Sequence, residues 1–86
     1  MKLSNAIKKL AKYGKLERDG HRYQVVINDR YVSFSPNGGD SPYNEIVCCH
    51  VQRVKDVADG VSDYFPGSYF DTLTGAIKYA QTAGRA

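Results

Sequence analysis

The chain has 86 residues, 42% of them hydrophobic and 24% charged, seven tyrosines, three phenylalanines and a net charge of +3. This balance excludes a disordered chain, and the length allows one domain, residues 1–86, with a single core and little room for a deep substrate cavity. No segment is long and apolar enough to span a membrane, and the N-terminus lacks the apolar run of a signal peptide, so a cytoplasmic location with free thiols is expected.

The charge is unevenly placed. Residues 1–43 hold eight Lys or Arg against four acidic side chains, and residues 44–86 hold four against five. The first half is therefore the end that faces an anionic partner, either nucleic acid or an acidic protein surface.

In chain order, "LSNAIKKLAKYGK" predicts a short amphipathic helix, with Ser4 as N-cap, Leu3, Ile7, Leu10 and Ala11 as its apolar stripe and Gly14 as a left-handed terminator. Lys8, Lys12 and Lys15 share the outer face with Lys9 beside them. A solvated helix face accounts for these lysines, and contact with an anionic partner is the second reading.

"HRYQVVINDRYVSFS" predicts a β-hairpin. Tyr23, Val25 and Ile27 alternate with Arg22, Gln24 and Val26, Asn28-Asp29 supplies the turn, and Val32 and Phe34 continue the apolar face. A turn at Asp19-Gly20 offers an alternative pairing with residues 15–18. "PNGGDSP" is a connecting loop, without the lysine-serine ending of a phosphate-binding loop.

"YNEIVCCHVQRV" predicts the third strand, with Val47, Cys49 and Val51 inside and Ile46, Cys48, His50 and Gln52 on the other face. Structural zinc needs four ligands, and only Cys48 and His50 share a face in a regular strand, so neither a metal nor a cofactor is expected. A vicinal disulfide is disfavoured on geometry, and no orienting group for a cysteine nucleophile is fixed nearby. The stretch reads as a core strand carrying two thiols.

"KDVADGVSDYFPGS" is expected to be irregular, with turns at Asp59-Gly60 and Pro66-Gly67, and its Asp56, Asp59 and Asp63 lack the spacing of a calcium loop. "DTLTGAIKYAQTAG" closes the chain as a helix with Asp71 as N-cap, Leu73, Ala76, Ile77 and Ala80 as its stripe, and Gly75 marking close packing. The expected architecture is α+β: helix, three-stranded antiparallel sheet, helix. With no catalytic set in view, the protein is not expected to be an enzyme.

The segment from "EIVCCHVQRVKD" through "SDYFPGSYFDTLTGAIKYA" resembles the large polyvalent protein-associated domains of phages and conjugative plasmids. The resemblance rests on Arg53, Asp63, Tyr64, Gly67, Tyr69 or Phe70, Asp71, Leu73, Thr74, Ala76 and Ile77, and "AIKKLAKYGK" resembles the family's first helix. It implies an accessory protein of a mobile element in a bacterial host cell. A lone basic domain of this kind resembles host-defence antagonists such as anti-CRISPR proteins, which block a protein or nucleoprotein complex, for instance a CRISPR effector complex, by stoichiometric binding. The partner-contacting residues are then expected to be Lys8, Lys9, Lys12, Lys15, Tyr43, Arg53, Asp63, Tyr64, Phe65 and Tyr69. Tyr64 and Phe65 fit a core role equally well. The alternative is a nucleic-acid-binding module. Its order α-β-β-β-α matches double-stranded RNA-binding domains, although Asp71 stands where those domains carry phosphate-binding lysines.

Overall fold

The computed structural model describes residues 1–58 and 69–83. Its elements are α1 (Leu3–Ala11), β1 (Glu17–Asp19), β2 (Arg22–Ile27), β3 (Arg30–Pro36), β4 (Ile46–Arg53), α2 (Val54–Ala58), β5 (Tyr69–Phe70) and α3 (Leu73–Ala83). The strands form one antiparallel sheet in the order β1-β2-β3-β4-β5. The α+β class is as expected, but the sheet has five strands where three were read. The extra two are edge strands: β1 is the pairing that a turn at Asp19-Gly20 offered, formed by residues 17–19 and present together with the Asn28-Asp29 hairpin, and β5, of two residues, is too short to carry a visible alternation.

The central hairpin follows its turn chemistry. Asn28 and Asp29 both take positive φ, 48° and 61°, between the paired Ile27 and Arg30. This is the two-residue turn whose twist matches the flanking strands, and Asn and Asp tolerate that conformation best after glycine. Gly20, at φ 62°, opens the two-residue loop between the partners Asp19 and Arg22 in the same way.

Both longer helices lie on one face of the sheet. Leu3, Ala6 and Leu10 of α1 and Leu73, Ala76, Ile77 and Ala80 of α3 close over Tyr23, Val25, Ile27, Val32, Phe34, Cys49 and Val51. The α3 stripe is the one its spacing predicts. In α1, Ala6 replaces the expected Ala11, which is exposed. Phe34 is fully buried and stacks on Tyr23 at 5.5 Å between ring centroids.

The helix ends depart from expectation. Lys2, not Ser4, is the N-cap of α1, and no side chain caps it. The free N–H groups of the first turn are met by loop carbonyls instead: Leu3 N–H donates to the Asn44 carbonyl at 2.7 Å and Ser4 N–H to that of Pro42 at 3.2 Å. Gly14 does not adopt positive φ, because α1 ends in a right-handed turn at Lys12. At α3 the cap is Thr72 and not Asp71: Gly75 N–H donates to Thr72 Oγ1 at 3.0 Å. A Cβ on Gly75 would meet that Oγ1 at 3.1 Å and the Phe70 ring at 3.9 Å, so the expected close packing is present. The stretch expected to be irregular begins with the helical turn α2, which Arg53 anchors through Asp56 at 2.8 Å. The turns expected at Asp59-Gly60 and Pro66-Gly67 lie outside the described residues. Among those residues, no helix is long and apolar enough to cross a membrane.

Candidate functional site

The "CCH" stretch holds the main surprise. Ser33 pairs with His50 and Ser35 with Val47, so Phe34 alone faces both Cys48 and Cys49. This is a β-bulge with Cys48 as the additional residue, at φ 55°. The bulge shifts the alternation of β4. Cys49 and Val51 are inside as expected, but Val47 is 38% exposed and Ile46 packs against the core in its place. The two thiols therefore do not follow the opposite-face geometry of a regular strand.

Residues opposite each other in an antiparallel ladder share a face. The line Val25–Val32–Val51 faces the helices, so Glu17–Gln24–Ser33–His50–Tyr69, which crosses all five strands, lies on the other face. Val26–Tyr31–Gln52 runs beside it. Ser33 and His50 are buried there although polar. Tyr69 packs on the His50 ring at 4.6 Å between centroids.

Arg22 covers Ser33. Its Nε and one terminal nitrogen donate to Ser33 Oγ at 3.1 and 2.8 Å, the other terminal nitrogen to Ser35 Oγ at 3.2 Å, and the first again to the Cys48 carbonyl at 2.7 Å. The guanidinium thus ties the bulge to two serines. Among the described residues no carboxylate pairs with it, even though Asp19 is its ladder partner. Ser33 directs its lone pairs at this cation, the reverse of what a base-activated nucleophile requires. Burial pushes the Cys49 thiol above its ordinary value, with Arg22 opposing the shift.

The expected contact residues separate into groups. Lys8, Lys12 and Lys15 are exposed and Lys9 is half-buried; Lys8 and Lys9 lie in α1, Lys12 is its C-cap and Lys15 follows in the connection to β1. Tyr43, 76% exposed, stands near the start of α1 with the Lys2 ammonium 5.7 Å from its ring centroid. Tyr69, 46% exposed, is on the opposite face. Arg53 is held by Asp56 through two hydrogen bonds at 2.8 and 2.9 Å, so its charge is partnered inside the chain. Asp63, Tyr64 and Phe65 lie outside the described residues. Sequence reading missed Arg22, Tyr31, Ser33, Ser35 and Gln52 as one surface. Alternation marks Arg22 and Gln24 as outward, but their neighbours across strands follow only from register.

Among the described residues no group of three or more His, Cys, Asp or Glu side chains could hold a metal. The chain matches no protein-family model, and neither the curated proteins nor the solved structures contain a significant match to it.

Proposed function

We propose that the chain works by occupying a surface on a protein or nucleoprotein complex, without turnover, as a mobile-element accessory protein that antagonises a host defence. The observation that carries this reading is the outer sheet face, on which neither α1 nor α3 lies. It sets Tyr31 and Tyr69, an exposed Val26, and the polar groups of Gln24, Gln52 and Arg22 on hydrogen-bonded strands. Tyrosine and arginine on a rigid frame contribute binding energy at low entropic cost. The resemblance to phage and plasmid domains supplies the biological setting.

The test is affinity capture from a bacterial lysate with the wild-type chain and a Tyr31→Ala/Tyr69→Ala variant, followed by titration of the captured partner's activity. Inhibition that saturates near one chain per target, and is lost in the variant, supports blocking. Full inhibition at far lower ratios means turnover and refutes it.

A second reading, nucleic-acid binding through α1, is favoured by one observation. None of Lys8, Lys9, Lys12 and Lys15 forms an ion pair among the described residues. It requires affinity for duplex RNA or DNA that falls steeply with salt.

A further inference from the structure

The chain has two cysteines and one methionine, and all three sulfur-bearing residues line one cavity. The cavity measures about 280 Å³ and sits at the edge of β4, between the N-terminal residues and the start of α3. Ile46, Val47, Phe70 and Leu73 supply apolar wall beside Met1, Cys48 and Cys49. Its form follows from the backbone. Met1 and Lys2 pair with β4 at one point, through Ile46 N–H to the Met1 carbonyl at 3.0 Å and a bridge between Lys2 and Glu45. β5 pairs with β4 further along, at Cys49 and His50. Val47 and Cys48 occupy the gap, and the bulge places both cysteines in the wall of the same cavity.

We propose that Cys48, Cys49 and the Met1 thioether form a binding site for a soft monovalent ion, copper(I). Zinc requires four ligands in a tetrahedron, whereas soft thiolate and thioether donors select copper(I). The wider zinc-type donor set is missing here among the described residues, since no three His, Cys, Asp or Glu side chains converge. Binding replaces two S–H bonds by two S–Cu bonds and releases two protons, with no change of oxidation state. The product carries one negative charge. Arg22, whose guanidinium donates to the Cys48 carbonyl at 2.7 Å, is the cation beside that charge, and Asp71 lines the same cavity. Cys48 is exposed, which gives the ion a way in, and Cys49 is buried, which limits exchange with other thiols.

The experiment is an anaerobic titration of the reduced chain against copper(I) held by the coloured chelator bathocuproine disulfonate. The expected result is withdrawal of one copper per chain, with ultraviolet thiolate-to-copper absorption. Cys48→Gly and Cys49→Ala should each lose it. Cys48→Gly is the decisive variant, because glycine suits the left-handed backbone at that position and the fold is retained. Its urea transition is measured alongside. Failure of the wild type to withdraw copper overturns the proposal. So does equal withdrawal by Cys48→Gly, or a stoichiometry of one copper shared between two chains.

Discussion

Cys48 holds a backbone conformation that a residue with a Cβ adopts at a cost of about 1–3 kcal/mol. The contact that over-determines it is the Arg22 hydrogen bond to its carbonyl at 2.7 Å. Cys48→Gly should therefore raise stability by about 1 kcal/mol, whereas a β-branched residue there should lower it. Urea unfolding of Cys48→Gly and Cys48→Val checks the pair, and a less stable glycine variant would contradict the account. The neighbouring thiol gives a pH signature. Burial raises the Cys49 value in the folded chain above the ordinary 9.0, so the folded state holds its proton longer than the unfolded state does. That contribution is complete below pH 9.0 and is lost as the pH rises through the raised folded value. Stability measured from pH 8 to pH 10.5 should fall more steeply for the wild type than for Cys49→Ala. Parallel curves would show that the thiol is not linked to folding.

At the scale of elements, α3 begins on one side-chain hydrogen bond. Thr72→Ala removes the acceptor for Gly75 N–H and should cost about 1 kcal/mol, while Thr72→Ser should cost little. Thermal melts of the two variants distinguish the cap from a general packing effect, since both also lose the Thr72 methyl group or its packing. How legible each element was depended on whether its cause is local. The hairpin turn and the α3 stripe were readable because Asn28-Asp29 and the spacing of Leu73, Ala76, Ile77 and Ala80 act within a few residues. The start of α1 was not, because its caps are the carbonyls of Pro42 and Asn44, some forty residues away in the chain. The bulge was hidden for a different reason. Left-handed positions are usually marked by Gly or Asn, and here the position is a cysteine inside an apolar run, so Val47 was assigned to the wrong face. The same omission hid the shared cavity of the two thiols, and the outer-face row could not be assembled without the register of all five strands.

For the molecule as a whole, the sheet divides two surfaces of different character. The α1 side carries the uncompensated lysines, and the other side carries Tyr31, Tyr69 and the Arg22 cluster. Changing Lys8, Lys9, Lys12 and Lys15 together to Gln should leave the urea midpoint nearly unchanged, because three of these side chains are exposed and none bonds to the core. If α1 is the contact, the same variant should lose most of the salt dependence of partner binding, and an unaltered salt slope would assign binding to the outer face. The strand order carries a kinetic meaning of its own. Each strand lies beside its neighbour in sequence, so the sheet can zip outward from one hairpin without first closing a long loop. The turn at Asn28-Asp29 then belongs to the folding nucleus, and Asp29→Gly, which supplies the preferred second residue for positive φ, should act chiefly on the folding limb of a stopped-flow chevron. Refolding becomes faster and unfolding stays almost as it was, so the two residues of that turn set how quickly the chain finds its sheet more than how long it keeps it.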